Sequence, residues 1–221
     1  MDSSLINING NGVPTLDIIL MMTVIMLAPT LVIMMTSFTR TIIILSFTRN
    51  ALGVQQTPPN MVLVGIALFL TVFIMNPVIE DIDKTAYAPY VDGKITQEQA
   101  LERAEVPMKE FMLKQTEISS VNLFTELADI DKPEPDKITE LPMHVVIASF
   151  ITSELKRGFL AGLLIYIPFL LVDIIVSSTL MSMGMIMLPP ATIALPFKLL
   201  LFVTVNGWEL LFQAIINGFN Y

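Results

Sequence analysis

The stretch GFLAGLLIYIPFLLVDIIVSSTLMSMGMIMLPPATIALPF, residues 158–197, decides the class of fold. It is 40 residues long and carries a single charge, Asp173. About 20 apolar residues in a helix cross a bilayer core of about 30 Å, so this stretch is too long for one span. A glycine and a proline pair within Met181–Pro190 interrupt a helix at that point. We therefore predict two spans, about 158–180 and about 191–215, joined by a methionine-rich turn.

Two more apolar stretches precede this one, Leu16–Phe38 with 23 residues and Met61–Ile79 with 19. We interpret the segment 39–60 between them as a short loop. It contains Arg40 and Arg49 but no acid, so the positive-inside rule places it in the cytoplasm. The two arginines either anchor the topology alone or contact a neighbouring subunit's carboxylates or helix C-termini, which favour cations.

The composition excludes an ordinary soluble enzyme. Of the 221 residues, 54% are hydrophobic and 14% are charged, whereas a soluble domain has about 25% charged residues. The absence of cysteine excludes a disulfide scaffold and thiolate metal sites. Acidic charge is confined to residues 80–140, where 15 acids face 7 bases, while the rest of the chain has 5 of each. No basic patch suggests a nucleic-acid partner.

We therefore predict an all-α membrane protein with two helical hairpins, about four apolar spans and an acidic helical insert between the hairpins. A polar N-terminal tail, 1–15, lacks the basic start of a secretory signal, so the first span is either an uncleaved anchor or belongs to a mature form. The first hairpin is 16–79, the insert is 80–157, and the second hairpin is 158–221. The orientation rule places the insert outside the cytoplasm.

The insert has helix signals of its own. Thr96 with Gln99 forms a capping box ahead of an apolar pattern that we expect Pro107 to interrupt. A second short helix is predicted around Leu123–Leu127, and Pro133 with Pro135 marks a loop. The end of the insert has an amphipathic pattern that leads into the third span. Its apolar side is Met143, Ile147, Phe150, Ile151 and Leu155, and its polar side is Ser149, Thr152, Ser153, Lys156 and Arg157.

The sequence predicts no catalytic site, metal site or cofactor. His144 is the only histidine, and we interpret it as a surface or interface residue. No nucleophile elbow, phosphate loop or zinc-protease motif occurs. The prediction is a protein that is not an enzyme.

The charge within the second hairpin needs a partner. A carboxylate at membrane depth is unfavourable by at least about 2.5 kcal/mol on insertion scales. Asp173 and Lys198 are equally distant in sequence from the middle of the turn, so they lie at similar depth on antiparallel helices. We interpret them as an intramembrane ion pair that fastens helices or subunits. A proton relay that includes Glu209 and a position in a water-lined pore are the alternatives.

The turn itself holds Met181, Met183, Met185 and Met187 at every second position. In an extended segment this spacing points all four thioethers to one side. Methionine is flexible and polarizable, which suits a surface that moulds to varied neighbours. The alternative is ordinary filling of gaps in a core, and spacing alone does not decide between the two.

Several motifs in order resemble the FliP family of flagellar export-gate proteins, which is related to the SctR-type proteins of injectisomes. They are TSFTRTIIILSFTRNALGVQQTPPN at 36–60, ALFLTVFIMNP at 67–77, ASFITSELKRGF at 148–159, IPFLLVDIIVSSTLMSMGMIMLPP at 167–190, LPFKLLLFV at 195–203 and GW at 207–208. The N-terminal tail and the acidic insert lie mainly outside the resemblance. Family members usually have Met where this chain has Ile186, and often Asp where it has Asn206.

The resemblance implies a channel-forming subunit of the flagellar type III secretion apparatus in the bacterial cytoplasmic membrane, at the flagellar basal body. It implies a pentamer with FliQ- and FliR-type subunits, associated with FlhB- and FlhA-type proteins. The cargo is unfolded rod, hook and filament subunits, and the spans pack in a spiral partly lifted out of the bilayer. The family's gasket falls on the four methionines of the turn. An ion- or proton-translocating membrane protein that uses Asp173 and Lys198 is the alternative.

Overall fold

The computed structural model describes residues 6–8, 11–13, 15–54, 56–130, 135–185 and 187–219. Helices make up nearly all of this part of the chain, so the predicted all-α class is confirmed. Ahead of the first helix, two three-residue strands, Ile6–Ile8 (β1) and Asn11–Val13 (β2), pair antiparallel. They lie within the segment that the sequence marked only as a polar tail.

The helices follow one another with short connections. In chain order they are α1 (Thr15–Met35), α2 (Phe38–Leu52), α3 (Asn60–Ile82), α4 (Ala88–Val91), α5 (Gln97–Gln115), α6 (Ile118–Leu127), α7 (Met143–Ser182), α8 (Pro190–Thr204) and α9 (Gly207–Asn217). A π-helical turn, Asp83–Tyr87, joins α3 to α4, and a 3-10 turn, Pro135–Glu140, precedes α7.

Two helices of the described chain are each long and apolar enough to cross a membrane: α7, and α3 with its extension to Val91. The part Met21–Met35 of α1 reaches that length only together with α2, and α8 only together with α9; these two pairs bend by 68° and 64°. The described residues therefore offer two spans, or up to four if each bent pair counts as one. The fourth predicted span is broken between α8 and α9, whereas the first, Leu16–Phe38, coincides with α1 and ends at the bend before α2.

The predicted loop at 39–60 is wrong over most of its length, because Phe38–Leu52 forms helix α2. Its apolar side chains recur at helical spacing and are buried, as Ile44 and Leu45 illustrate. The helix ends at Gly53, whose φ of 80° is a left-handed cap that favours glycine. Length and charge suggested a loop, but burial of one apolar face stabilises a helix here.

Helix α2 packs along α7 through two glycines. A side chain added at Gly158 would meet Ile43 of α2, and one added at Gly162 would overlap the Phe47 ring. The two contacts advance together by four residues on each helix, so α2 and α7 run parallel. Small residues four apart let two helix backbones approach closely. The pattern G-x-x-x-G was a usable signal for this contact.

Helix α2 also packs against α3, so it contacts both long apolar helices. The main core forms where α2, α3, α5, α7 and α9 meet. Leu45, Ile74, Met112 and Phe150 are among its fully or almost fully buried side chains. Much of the remaining apolar surface is exposed, including nearly every described side chain of α1 from Met21 to Met34.

The insert is helical as predicted, with one correction. The capping box is present: Gln99 N donates to Thr96 Oγ1 at 3.3 Å and Thr96 N donates to Gln99 Oε1 at 3.1 Å. Pro107 does not interrupt the helix, since α5 continues to Gln115. Burial of Phe111 and the residue after it holds the helix together beyond the proline. The loop prediction at Pro133 lies outside the described residues.

Serines fasten the insert to α7. Glu117 N donates to Ser153 Oγ at 3.0 Å, Ser153 Oγ donates to Ser120 Oγ at 3.0 Å, and Ser149 Oγ donates to Ser120 O at 3.2 Å. Both α7 serines are fully buried, so at these two positions the polar side of the helix packs against the insert. A hydrogen bond from Lys156, at 2.6 Å, lowers the pKa of Glu117 below its usual value.

Helix α7 is continuous for 40 residues, about 60 Å at 1.5 Å per residue. The predicted amphipathic end of the insert and the predicted third span therefore form one helix. This continuity makes α7 the element that connects the insert to the second hairpin.

We expect Gly162→Ala to lower the midpoint of thermal unfolding in detergent, because the new Cβ overlaps the Phe47 ring and overpacking costs about 1–3 kcal/mol. Gly65→Ala is the matched control. It lies in apolar helix α3 with nothing within 4 Å of its added Cβ, and alanine favours a helix by about 1 kcal/mol. Equal midpoints for the two variants would contradict close α2–α7 packing.

Candidate functional site

A buried ion pair joins the start of α2 to α7. Arg40 Nε donates to Glu154 Oε2 at 3.0 Å, and Arg40 Nη2 donates to Glu154 Oε1. Glu154 is fully buried and Arg40 almost so. The planar guanidinium matches both carboxylate oxygens, a geometry that a lysine does not provide.

The same arginine holds the end of α9. Arg40 Nη1 donates to Gly218 O at 2.9 Å, and its guanidinium carbon lies 3.9 Å from the centre of the Phe219 ring. Cations favour a helix C-terminus and an aromatic face. The sequence proposed a carboxylate or a helix C-terminus of a neighbouring subunit as the partner of Arg40. Both kinds of partner are present, but they come from the same chain.

Sequence reasoning missed Glu154. Its position is four residues after Phe150 and four before Gly158, so it falls on the buried face of α7 rather than on the polar side. A carboxylate in an apolar stripe was the signal that it needs a partner. The partner lies 114 positions away in the chain, on a segment that the sequence presented as a loop.

A second ion pair lies near the other end of α2. Lys198 Nζ donates to Asp173 Oδ2 at 2.6 Å and to Ala51 O at 3.1 Å. The Lys198 side chain is 7% exposed and the Asp173 side chain 31%. The structure therefore brings together the two residues that the hairpin arithmetic paired, and adds the last turn of α2 as a third partner.

The two ion pairs bracket α2. Arg40 lies in the first turn of α2, and Ala51, whose carbonyl accepts from Lys198, lies in the last turn. The carboxylates that pair with Arg40 and Lys198 are Glu154 and Asp173, which are 19 positions apart on α7. That separation corresponds to about 28 Å along a helix, close to the thickness of a bilayer core. Charges at both ends thus fix α2 against α7, with α9 and α8 attached to the respective ends.

Arg49 has a different role from Arg40. Its Nη1 donates to Asn60 Oδ1 at 2.5 Å and to Pro58 O at 3.3 Å. These contacts hold the connection between α2 and α3. No carboxylate of the described residues pairs with it.

The methionine turn is exposed but not extended. Met181 belongs to the last turn of α7, and Gly184, with φ of 76°, ends the helix. Gly184 N donates to Met181 O and Met185 N donates to Leu180 O, each at 3.0 Å, which is a Schellman motif. The predicted extended conformation is wrong, because the helix continues into the turn and closes on a glycine. Residue 186 lies outside the described part.

All four methionine side chains are nevertheless accessible. Met181 is 62% exposed, Met183 67%, Met185 43% and Met187 99%. Their accessibility excludes, within this chain, the ordinary core-filling alternative. The exposure of His144 fits its interpretation as a surface or interface residue.

Comparison with known proteins identifies relatives along almost the whole chain. The FliP family model matches residues 21–215. The flagellar biosynthetic protein FliP of Bacillus subtilis is 48% identical over 205 residues, 93% of this chain and 92% of the relative. Those of Pectobacterium carotovorum and Aquifex aeolicus are 47% and 44% identical, over 96% and 95% of this chain and 82% and 88% of the relatives.

We expect Asp173→Ala to destabilise the protein by about 3 kcal/mol, since it leaves a buried ammonium without its carboxylate. The value is at the low end for buried pairs because Asp173 is partly exposed. Lys156→Ala is the control, because it breaks a solvent-exposed pair with Glu117, and such pairs contribute little to stability. The double variant Asp173→Lys with Lys198→Asp should recover part of the loss of thermal stability in detergent. If the single variants unfold at the wild-type temperature and the double variant is no more stable than either of them, the two residues do not form a stabilising pair.

We expect Arg40→Lys to lower the unfolding midpoint in detergent, because one ammonium cannot replace the fork on Glu154 and the bond to Gly218 O. Arg49→Lys is the matched control, since its two acceptors are an amide oxygen and a carbonyl on one short connection. Both variants keep the topological charge. If both variants had the wild-type unfolding midpoint, the only remaining role of the two arginines would be to set the membrane topology.

Proposed function

The chain belongs to the FliP family, and on this premise we propose that it is a channel-forming subunit of the flagellar type III protein export gate. It passes unfolded flagellar subunits across the bacterial cytoplasmic membrane while the flagellum is assembled. The observation that carries the proposal is the turn between α7 and α8, where four methionine side chains are exposed at the end of two apolar helices.

Exposed apolar surface supports an oligomeric channel. The described side chains of α1 from Met21 to Met34 and one face of α3, with Phe69 80% exposed, have few partners within the chain. Such surface in a membrane protein packs against lipid or other subunits. In the proposed gate it packs against other copies in a pentamer and against FliQ- and FliR-type subunits. FlhB- and FlhA-type proteins associate with this assembly at the flagellar basal body.

The turn performs the gating step in this proposal. Several copies of Met181–Met187 form a collar of thioethers around the axis, and an apolar constriction excludes water and ions by dewetting. Methionine has three rotatable side-chain bonds and no strong directional demand, so the collar fits around a passing chain of any sequence. The Schellman closure at Gly184 sets the direction in which α7 presents these side chains.

The ion pairs give the collar a fixed base. Lys198 joins α8 to α7 through Asp173 and to α2 through Ala51 O, so the helices on both sides of the turn are tied to one core. Because the turn lies beyond this attachment, its side chains can rearrange without moving the helices. Asp173 and Lys198 are therefore positioning residues for the gate.

The alternative function, proton translocation through Asp173 and Lys198, has less support. Lys198 is almost fully buried and already donates to a carboxylate and a carbonyl. A relay needs groups that exchange protons along a path, whereas this lysine is held at one place. The paired geometry favours fastening over transfer.

We expect replacement of all four turn methionines by alanine to preserve assembly but widen the resting constriction. The measurable results are leak of ions or small molecules across the membrane, slowed growth and export that is retained in part. Assembly should survive because the four side chains are exposed and outside the packed core.

The matched control replaces Leu101, Ile118, Leu123 and Leu127 of the insert by alanine, because these side chains are also exposed and apolar but lie outside the surface proposed to pack against other subunits. The control should show no leak. A turn variant that assembles, exports normally and does not leak would contradict the gasket role, and so would equal leak in both variants.

A further inference from the structure

One arginine of the first hairpin is half-buried and has no counter-ion among the described residues. Arg49 donates through Nη1 to Asn60 Oδ1 and Pro58 O, and both acceptors are neutral. Its Nε is enclosed without an acceptor, and Nη2 has no acceptor in the described part of the chain either. The positive charge of Arg49 is therefore available to an anion that does not belong to the described residues.

The other cations have carboxylate neighbours or full access to water. Arg157, the second half-buried arginine, interacts electrostatically with Glu117 and Glu154. Arg103 and Lys114 lack an ion pair, but both are exposed on the insert, where water solvates the charge. Each remaining lysine or arginine whose side chain the structure describes forms an ion pair. Arg49 thus differs from all of them.

Arg49 lies where the first hairpin turns and a membrane span begins. Asn60, which accepts its shorter hydrogen bond, is the first residue of α3 and directly precedes the apolar stretch Met61–Ile79. Because Asn60 Oδ1 accepts from Arg49, the Nδ2 group of the same amide remains a donor beside the guanidinium. In the orientation predicted above, this end of α3 faces the cytoplasm. Two donors therefore lie side by side where an apolar span meets the headgroups of the bilayer.

An exposed apolar stripe of α3 begins directly beyond these donors. Residues 61–68 extend for about 12 Å at 1.5 Å per residue, most of one leaflet of a core about 30 Å thick. Gly65 leaves a notch in the stripe, since a Cβ added there would contact nothing within 4 Å. The exposed apolar side chains around the notch are Met61, Val62, Val64 and Leu68. A chain of methylene groups fits along this stripe with its polar end at Arg49.

We propose that Arg49 and Asn60 bind the phosphate of an anionic phospholipid, with one of its acyl chains along residues 61–68. Arg49 Nη2 donates to one phosphate oxygen in a charge-assisted hydrogen bond, and Asn60 Nδ2 donates to another. Basic sites at the cytoplasmic ends of membrane helices bind such headgroups. A carboxylate of another subunit would match the charge alone, whereas a phospholipid matches both the charge and the apolar stripe.

This lipid site is compatible with the proposed gate but does not depend on it. The lipid covers the beginning of the exposed face of α3, and the part from Phe69 onward remains available to neighbouring subunits. In an oligomer, the lipid would lie at the rim of the subunit contact, at the end of α3 where the helix starts.

The unfolding midpoint of the purified full chain in a neutral detergent tests this site. Dioleoyl phosphatidylglycerol should raise the wild-type midpoint more than an equal amount of dioleoyl phosphatidylcholine, because a ligand that binds the folded state stabilises it. Arg49→Gln should abolish this difference between the lipids and weaken the apparent affinity for phosphatidylglycerol about tenfold, since a hydrogen bond to a charged group is lost. Arg103→Gln, at an exposed and unpaired arginine, is the matched control and should keep the wild-type difference.

The comparison of two lipids within each variant separates binding from folding. A general loss of stability in Arg49→Gln, from the lost bonds to Asn60 and Pro58, lowers both midpoints equally and leaves their difference to report the lipid. Inorganic phosphate at the same concentration should leave the wild-type midpoint unchanged, because it has no acyl chain to lie along α3. Native mass spectrometry of the protein extracted from membranes should show severalfold less bound phosphatidylglycerol and cardiolipin in Arg49→Gln than in Arg103→Gln.

Three outcomes contradict the lipid site. Equal differences between the two lipids in the wild type and Arg49→Gln exclude a lipid phosphate at Arg49. An equal stabilisation by inorganic phosphate identifies a site for free anions. Loss of oligomer in Arg49→Gln with unchanged bound lipid identifies a carboxylate of a neighbouring subunit as the partner. The proposed gate is contradicted separately, by a wild-type chain that fails to restore motility to a strain lacking its FliP.

Discussion

Burial of Glu154 is the constraint on which much of this structure depends. A carboxylate without contact with water is strongly unfavourable unless it is paired and hydrogen-bonded. Arg40 supplies both requirements, and its third donor binds Gly218 O. The pair therefore fixes three elements at once: the start of α2, the first third of α7 and the end of α9. A helix that composition presented as a loop becomes part of the core.

The same principle operates near the other end of α2 with Lys198 as the cation. There the carboxylate is partly exposed, and the carbonyl of Ala51 completes the coordination of the ammonium. Polar attachment at two places suits a protein whose helices face lipid or other subunits, because apolar contact alone specifies little about helix position in such surroundings. The methionine turn lies just beyond this attachment, where flexible side chains extend from fixed helices.

Charge also differs between the parts of the chain. The insert carries the whole negative excess, while the charges of the apolar flanks balance.

The sequence by itself determined the class of fold, the insert and its capping box, and the pairing of Asp173 with Lys198. Each of these follows from local pattern: long apolar runs, helix-start residues, and equal distance from a turn. Only the tertiary structure decided that α2 is a helix and that Glu154 pairs with Arg40 at its start. The reason is that burial of a charge depends on elements 114 positions apart. It also decided the conformation of the methionine turn, because the closing hydrogen bonds at Gly184 come from the end of α7 and outweigh a spacing that suggested an extended chain.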